Sequence, residues 1–324
     1  MDTKQNKKSL NIGLMAHVDA GKTTLSEALL YVSGARRTLG RVDHRDAFLD
    51  THNLERAKGI TIFSKQARME TEHRLVTLVD TPGHVDFSAE TERTLPILDC
   101  VVLVISGTDG VQAHTLTLWR LLERYQVPAI LFVNKMDLPG MEKEKLLAQL
   151  QEQLSPACVD FGLSFEEIAE AAAMCDEALL ENYLESGTVT EGNLRGLIAK
   201  RKLFPCCFGS GLKLEGVEAL LEILDKYAPE KQYPAQFGAK VYKISRDPQG
   251  VRLTWLKITG GSLKVRSVLE YTNPKGEKRE EKVLQLRQYS ADKFTAPEEI
   301  FAGELAAVTG LSETCVGQVL GSET

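Results

Sequence analysis

The sequence predicts an α/β fold in which a mostly parallel β-sheet carries helices on both faces and a helical insertion, followed by a small antiparallel β-barrel. Up to about residue 228, short apolar runs alternate with helical stretches, which is typical of a three-layer α/β domain. Beyond residue 235, short strand-like segments are separated by turn signals, which is typical of a small barrel. We therefore expect two domains, at 1–230 and 235–324.

Five apolar runs predict the strands of the parallel sheet. They lie at 10–15, 75–79, 100–105, 129–133 and 204–208. Near-continuous runs of this length suit strands that are buried on both faces. Helical patterns follow nearly every run, for example at 23–32, 115–125 and 216–227.

The interval between Asp137 and Ser210 is longer than one helical crossover requires. Within it, 165–184 predicts one strong helix with Ser164 as its N-cap. We interpret 141–200 as extra helices attached to the sheet domain. This segment holds 12 acidic and 4 basic residues and so accounts for the formal net charge of −6 of the chain. A solvated helical face explains its acidity more simply than a docking site for a basic partner.

The C-terminal segment is divided by turn signals at 247–250, 260–261 and 273–276. A linker precedes it near 228–234. In one strand-like stretch, Trp255 alternates with Leu253 and Lys257, which favours packing in the barrel over stacking on a nucleobase.

The composition excludes several classes of protein. With 43% hydrophobic and 26% charged residues, the chain is neither disordered nor a strongly basic nucleic-acid coat. The six cysteines form no CxxC pair and no zinc-site spacing, and we expect Cys206 and Cys207 to be buried thiols. No signal peptide or membrane span is visible. We expect a cytoplasmic monomer without a membrane partner.

The first candidate site lies between the predicted strand 10–15 and the helix that follows it. Residues 16–24 read Ala-His-Val-Asp-Ala-Gly-Lys-Thr-Thr, a phosphate-loop pattern with Ala16 in place of the first glycine. Backbone N–H groups at this helix N-terminus can surround a β-phosphate, Lys22 can neutralise phosphate oxygens, and Thr23 can ligate Mg²⁺. The simpler interpretation is an ordinary strand-to-helix turn. The residues expected to hold the phosphates are Asp19, Ala20, Gly21, Lys22, Thr23 and Thr24.

The second candidate site follows the predicted strand 75–79, where residues 80–83 read Asp-Thr-Pro-Gly. Asp80 can hold the hydration shell of Mg²⁺, and the Gly83 amide can sense a γ-phosphate. Taken alone, the segment could be a simple Pro-Gly turn.

The third candidate site, Asn-Lys-Met-Asp at 134–137, follows the predicted strand 129–133. Asp137 can accept two hydrogen bonds, from the N1–H and the 2-amino group of guanine. Lys135 would lie along the base plane, and Asn134 is also expected to bind the nucleotide. Adenine has no matching donors and would leave a buried acceptor unpaired, at a cost of ~1–3 kcal/mol. After 204–208, Ser210, Gly211 and Leu212 would add a backbone contact to the guanine carbonyl.

All four segments come directly after predicted strands. Since ligands of open α/β sheets bind at the carboxyl ends of the strands, the segments converge on one crevice. The sequence therefore predicts a site for GTP or GDP with Mg²⁺.

At these residues the chain resembles the translational GTPases of the elongation factor G type. The resemblance covers 11–137, 209–212 and the predicted barrel, and its most specific features are the loop 16–24, Gly-Ile-Thr-Ile at 59–62, and His84 directly after Asp-Thr-Pro-Gly. Within the family, 11–19, 29–35 and 109–113 are most similar to the tetracycline-resistance ribosomal protection proteins. Because family members are about twice as long, we expect the chain to be an N-terminal portion.

The resemblance implies further roles for individual residues. Thr61 would ligate Mg²⁺ and meet the γ-phosphate, and His84 would position the attacking water. Val18 and Ile60 would form an apolar gate in front of His84, and Asp19 would help to hold a monovalent cation. The catalytic residues are then His84, Lys22, Thr61 and Gly83, and the metal ligands are Thr23, Thr61 and Asp80.

Two residues near these motifs receive a separate interpretation. Lys58 stands where the family usually has arginine, which keeps the charge but not the bidentate geometry. His17 is interpreted as structural.

The leading hypothesis is a ribosome-associated GTPase whose partners are a guanine nucleotide, ribosomal RNA and ribosomal protein. Ribosome protection against tetracycline is favoured over translocation of the elongation factor G kind. A regulatory G-protein switch outside translation is a competing hypothesis. An ATP-using phosphate-loop enzyme is also considered, and Asp137 disfavours it.

Overall fold

A computed structural model of the protein describes residues 7–40, 65–81 and 88–322. In these residues a seven-stranded sheet, in the order β2-β3-β1-β4-β5-β7-β6, forms what we call the α/β part. Its strands are β1 (Lys8–Ala16), β2 (Lys65–Glu70), β3 (Arg74–Asp80), β4 (Cys100–Ser106), β5 (Ala129–Asn134), β6 (Cys158–Asp160) and β7 (Phe204–Phe208). Strand β2 pairs antiparallel with β3, and the other neighbours pair parallel.

Helices cover both faces of this sheet, as the sequence predicts. The described helices are α1 (Lys22–Val32), α2 (Ser88–Thr94), α3 (Ala113–Arg124), α4 (Lys143–Gln153), α5 (Phe165–Ala173), α6 (Glu177–Ser186), α7 (Glu191–Ala199) and α8 (Val217–Tyr227), with a 3₁₀ turn at Leu95–Ile97. Helices α1 and α8 pack on one face, and α3 and α4 pack on the other. The continuous apolar sequence of β4 reflects burial on both faces of the sheet. Val102 packs in the core beside α1 and α8, and Leu103 packs in the core beside α3 and α4.

The segment 141–200 differs from the expectation of helices alone. Helix α4 packs on the sheet through Leu150, and β6 joins the sheet as an edge strand beside β7. Helices α5, α6 and α7 enclose a small core of their own, with Ala172 and Leu194 at its centre.

The prediction of a single helix at 165–184 is wrong, because the chain forms two helices there, α5 and α6. The predicted cap is present, since Ser164 and Glu167 form a capping box at the start of α5. The break comes at residues 174–176, where the Asp176 side chain accepts a hydrogen bond from the Leu179 amide at 3.1 Å and starts a second helix. An aspartate that caps a new helix competes with continuation of the old one.

The C-terminal segment is antiparallel, and we call it the β part. Its strands are β8 (Gly238–Arg246), β9 (Arg252–Gly260), β10 (Ser262–Lys264), β11 (Val268–Thr272), β12 (Lys278–Lys282), β13 (Gln285–Ser290), β14 (Lys293–Thr295), β15 (Glu299–Phe301), β16 (Leu305–Thr309) and β17 (Val319–Gly321). Six of them form one sheet, in the order β14-β13-β16-β9-β8-β17, and β10–β15 and β11–β12 are separate pairs. These strands enclose a core that includes Leu256 and Val308. The predicted fold class is thus confirmed.

Strand β9 has two buried faces. Leu256 points into the core of the β part, whereas Trp255 and the fully buried Lys257 face the α/β part. Trp255 therefore packs at the boundary between the two parts, where its indole N–H donates to the Ser245 hydroxyl at 2.9 Å.

The paired cysteines of β7 are buried, as expected from the sequence. Cys206 and Cys207 point to opposite faces of the sheet, and each is at most 5% exposed. Burial raises the pKa of the Cys207 thiol to about 12, so neither a thiolate nor redox chemistry is favoured there.

Candidate functional site

The loop between β1 and α1 has a backbone that only certain residues can adopt. Asp19 and Gly21 have positive φ angles of 62° and 86°. A Cβ atom on Gly21 would lie 2.2 Å from the amide nitrogen of Asn134, so this position requires glycine for space as well as for conformation. The loop ends at the N-terminus of α1, an 11-residue helix, where anions are favoured.

Lys22 and Asp80 form a buried ion pair across this loop. Lys22 Nζ contacts Asp80 Oδ1, and the two side chains are 8% and 1% exposed. Asp80 ends β3 and pairs with Leu14 of β1, which places its carboxylate next to the phosphate loop. The chain following Asp80 is fixed by a hydrogen bond from the Thr81 hydroxyl to the Leu14 carbonyl, at 2.6 Å.

The oxygen atoms at this position suit Mg²⁺. Asp80 offers a buried carboxylate that already accepts a cation, and the half-buried Thr23 begins the neighbouring helix turn. Mg²⁺ uses one or two protein oxygens together with phosphate and water ligands. Within the described ranges, no group of three or more His, Cys, Asp or Glu side chains is placed to hold a metal ion.

Asn134 links two loops that are distant in sequence. Its amide nitrogen donates to the Ala20 carbonyl at 2.9 Å, and its amide oxygen accepts from the Gly211 N–H at 2.9 Å. The side chain is buried, so both bonds are protected from water. Asn134 thus holds the phosphate loop and the loop 209–212 together.

The residues expected to read the base stand around this link. Lys135 has a positive φ of 66° and is half-buried, whereas Asp137 is exposed. The carboxylate of Asp137 therefore faces solvent, and the cost of an unpaired buried acceptor would arise only when a base covers it.

The loop after β7 is tightly held by its own backbone. Ser210 is buried and pairs with Glu215 through two backbone hydrogen bonds of 2.9 and 3.0 Å, and its hydroxyl accepts from the Lys213 amide at 3.2 Å. The Gly211 amide is committed to Asn134, and Leu212 is 48% exposed. Of the three residues predicted to meet guanine in this loop, Leu212 is the exposed one.

Several predicted site residues lie outside the described residues. These are Thr61, Gly83 and His84, together with Ile60 and Lys58. Of the phosphate-loop residues, Asp19 is exposed, Ala20 is buried, and Val18 and Thr24 are half-buried.

His17 has a neighbour that the sequence did not suggest. Its ring lies 6.0 Å from that of His114, at the start of α3, and its buried Nδ1 atom has no hydrogen-bond partner within the described residues.

Sequence reasoning missed a buried cluster between the α/β part and the β part. The Asp99 carboxylate accepts hydrogen bonds from the Asn11 backbone amide at 2.8 Å, from the Asn11 side chain at 2.9 Å and from Lys257 Nζ at 2.6 Å. Lys257 also donates to the Ile97 carbonyl at 2.7 Å. The one signal of this cluster in the sequence was Lys257, a lysine two residues after Trp255 and therefore on the same face of β9.

Two lysines compensate the negative charge of the buried Asp99 carboxylate. Burial acts to raise the pKa of the Asp99 carboxyl, but Lys257 and Lys231 outweigh burial and hold this pKa below its ordinary value. The Asn11 side chain also donates to the Gly303 carbonyl at 2.7 Å, which adds a direct hydrogen bond between the two parts.

Strand β2 makes a second contact between the parts. The Gln66 carbonyl accepts from the Ala291 amide at 2.7 Å, and Arg68 donates to the Gln288 side chain at 2.5 Å. Gln66 also donates to the Tyr242 hydroxyl. The edge strand of the α/β sheet is thereby attached to β8, to β13 and to the turn that follows β13.

Comparisons with known proteins agree with this geometry. The family model described as the elongation factor Tu GTP binding domain matches residues 7–230. A crystal structure of a protein from Thermus thermophilus is similar, with a TM-score of 0.84 and 26% sequence identity. The similarity covers 97% of this chain and 54% of that one, so the chain spans about half the length of this relative. No helix among the described residues is both long and apolar enough to cross a membrane.

Proposed function

The chain belongs to the family of elongation factor Tu GTP-binding domains, which is made up of GTPases, and on this premise we propose that it is the nucleotide-switch portion of a ribosome-associated GTPase. One observation carries the proposal. Asn134 joins the phosphate loop to the loop 209–212, so that the segments predicted to bind phosphate and guanine are held together by one buried side chain.

In this proposal the phosphates lie at the N-terminus of α1. Backbone amides of the loop 19–24 surround the β-phosphate, and Lys22 moves from Asp80 to the phosphate oxygens. Thr23 and Asp80 would hold Mg²⁺, which would neutralise negative charge on the phosphates. Asp19, exposed at the outer turn of the loop, is the proposed contact of a monovalent cation.

The proposed guanine contacts lie on the opposite side of Asn134. Asp137 accepts from the N1–H and 2-amino groups, and Lys135 covers one face of the base. The loop of Ser210, Gly211 and Leu212 meets the guanine carbonyl. The exposure of Asp137 supports this assignment, because its carboxylate is accessible to an incoming base.

Hydrolysis requires little covalent chemistry from the protein and mainly an oriented water. By its position directly after Asp-Thr-Pro-Gly, His84 is the proposed residue that orients this water, behind a gate of Val18 and Ile60. Thr61 and the Gly83 amide are the proposed contacts of the γ-phosphate.

Within translation, we propose ribosome protection of the tetracycline-resistance kind, supported by the similarity of 11–19, 29–35 and 109–113 to those proteins. The β part that follows the α/β part is also what the elongation factor G type contains. A translocase of that type is the second candidate. A switch outside translation is the third, and it would show no response to ribosomes. With this role on ribosomes we propose a cytoplasmic location.

The deciding experiment measures GTP turnover by the full-length protein with and without intact ribosomes, and with tetracycline present. We expect strong stimulation by ribosomes, and we expect His84→Ala to abolish the stimulation while GTP binding is retained. The tetracycline-resistance assignment also predicts that the protein releases the drug from ribosomes. Turnover that ignores ribosomes would overturn the translational proposal.

The nucleotide assignment has its own test. Asp137→Asn is expected to weaken GDP binding, because an amide cannot accept both guanine hydrogen bonds, whereas the exposed Asp109→Asn serves as a control. If ATP competes as well as GTP for the unmodified protein, the guanine assignment is wrong.

A further inference from the structure

Two methionines meet at the end of strand β4, next to the loop predicted to bind guanine. Gly107 directly follows β4, is buried, and donates its backbone amide to the Asn134 carbonyl at 2.8 Å. A Cβ atom built on Gly107 would lie 3.2 Å from the sulfur of Met136 and 3.2 Å from the sulfur of Met141. The two thioethers therefore lie beside the hydrogen bond that joins the end of β4 to the end of β5.

These two side chains are packed but remain partly accessible. Met136 contacts the core beside α3 and α4, and both methionines are half-buried. Of the other methionines among the described residues, Met15 and Met69 are buried, whereas Met174, directly after α5, is 72% exposed. Met136 and Met141 are thus intermediate in their accessibility to a small solute.

The surroundings of the two sulfurs suit a thioether and not a sulfoxide. Outside the chain neighbours of Gly107, the three atoms nearest to the position of that Cβ are the two sulfurs and the Asn134 carbonyl oxygen, at 3.1 Å. A sulfoxide oxygen is an acceptor of hydrogen bonds, none of these three atoms is a donor, and the Gly107 amide is already committed to Asn134. An oxygen added on this side of either sulfur would lie against a carbonyl oxygen, which is costly in a packed junction. Oxidation is therefore expected to separate residues 134–141 from Gly107.

A shift of this junction reaches both sides of the proposed nucleotide site. Asn134 holds the phosphate loop through the Ala20 carbonyl and the loop 209–212 through the Gly211 amide. The Met136 amide also donates to the Gly209 carbonyl at 3.0 Å. Movement of residues 134–136 therefore loosens the contacts on which nucleotide binding is proposed to depend.

We propose that Met136 and Met141 form a modification site, at which hydrogen peroxide oxidises the thioethers to sulfoxides and lowers the affinity for guanine nucleotides. In this step one peroxide oxygen bonds to a sulfur lone pair while the O–O bond breaks, and the proton of that oxygen passes to the leaving hydroxide, which departs as water. The sulfur is oxidised by two electrons, and the peroxide is reduced. Methionine sulfoxide reductases reverse the step, because two thiols form a disulfide and the oxygen leaves as water. The proposal goes beyond GTP hydrolysis and rests on the proposed nucleotide site.

The test treats the full-length protein with hydrogen peroxide and follows each methionine by peptide mass spectrometry. We expect Met174 to be oxidised first, Met136 and Met141 next, and Met15 and Met69 last, in the order of their exposure. Fluorescent GDP should bind about tenfold more weakly once Met136 and Met141 are oxidised, and reductases A and B with a thiol should restore its affinity. Oxidation of Met136 and Met141 that is no faster than that of Met15 would overturn the proposal.

Variants separate this site from general oxidative damage. Each variant is compared with its own untreated form, so that the effect of the substitution itself cancels. The double variant Met136→Leu/Met141→Leu should keep its affinity for GDP after peroxide treatment, whereas the matched control Met174→Leu should lose affinity as the unmodified protein does. An equal loss in the double variant would place the damage elsewhere, for example at a cysteine, and would refute the proposal, as would normal GDP binding by the oxidised protein.

Hydrogen exchange keeps this result distinct from the proposed function. Without nucleotide, oxidation should speed amide exchange at residues 107 and 136, where two of the hydrogen bonds of the junction are made, and the double variant should not show this change. A protein that never binds GDP contradicts the proposed function. Unchanged exchange after oxidation of both methionines contradicts the modification site.

Discussion

The buried pair of Asp99 and Lys257 allows a quantitative test of how the two parts are joined. Each side chain is 3% exposed, and their atoms Oδ1 and Nζ are 2.6 Å apart. Removing one partner of such a pair costs about 3–5 kcal/mol, because the other charge remains buried without its counter-ion.

The two single substitutions are expected to differ. After Lys257→Met, Asp99 retains both donors of Asn11 and the Lys231 ammonium at 3.2 Å, so the loss of unfolding free energy should be near 3 kcal/mol. After Asp99→Asn, the buried Lys257 ammonium keeps its hydrogen bond to the neutral Ile97 carbonyl but loses the carboxylate charge, so the loss should approach 5 kcal/mol. For 324 residues, 3 kcal/mol corresponds to a fall in Tm of about 4 °C.

Guanidinium unfolding provides the assay. The chain has two tryptophans, so a Trp119→Phe background leaves Trp255 as a fluorescent reporter of the boundary. Lys264→Met, which removes an exposed lysine of β10, is the control and should change stability by less than about 1 kcal/mol. The double substitution should cost less than the sum of the two single ones.

The same pair predicts a dependence on pH. The folded-state pKa of Asp99 is depressed, so its contribution to stability is present above the unfolded-state pKa and is lost as pH falls through the folded-state value. In Lys257→Met, the effect of burial on the pKa of Asp99 is opposed less strongly, so this pKa is higher. The loss of stability on acidification should therefore begin at a higher pH. A Lys257→Met variant that loses less than about 1 kcal/mol, with an unchanged acid limb, would refute this reasoning.

Three further predictions concern the phosphate loop and the β2–β3 turn. Asn134→Ala removes two buried hydrogen bonds, each contributing about 0.5–1.5 kcal/mol, and should weaken GDP binding roughly 10- to 100-fold in a fluorescent-nucleotide titration; unchanged affinity would contradict the linking role. Gly21→Ala should abolish nucleotide binding, whereas Gly34→Ala, with a similar φ of 74° but nothing within 4 Å of the added Cβ, should show only backbone strain in thermal melting. The hydrogen bond from His73 to Asp225, at 2.6 Å, raises the pKa of His73, so its NMR titration midpoint should lie above 6.5, and the stabilisation it gives at lower pH should fade as pH rises through that midpoint; a midpoint at or below 6.5 would contradict this.

The elements that could be predicted from the sequence are those whose burial leaves a regular apolar pattern. The central strands were visible because both of their faces are covered, which leaves continuous apolar runs such as that of β4. Strand β2 was missed because it is a polar edge strand, and β6 because three residues give no periodicity. The break between α5 and α6 was hidden by good helix formers on both sides of Asp176.

The positions of the candidate motifs in the fold were predictable for a related reason. The phosphate and guanine motifs are local in sequence and follow strands, so their convergence can be inferred from topology. The contact between Asp99 and Lys257 spans 158 residues, and no local pattern relates them. The linking role of Asn134 was also unforeseen, because it depends on where the loop 209–212 lies.

The position of Lys257 has a consequence for exchanging parts between related proteins. An α/β part that carries a buried carboxylate two residues after its 3₁₀ turn needs a β part that brings a cation to the facing position of β9. The linker sequence would matter little by comparison. Asp99 and Lys257 thus have to be exchanged together. A chimera that receives one without the other would contain a buried charge with no counter-ion.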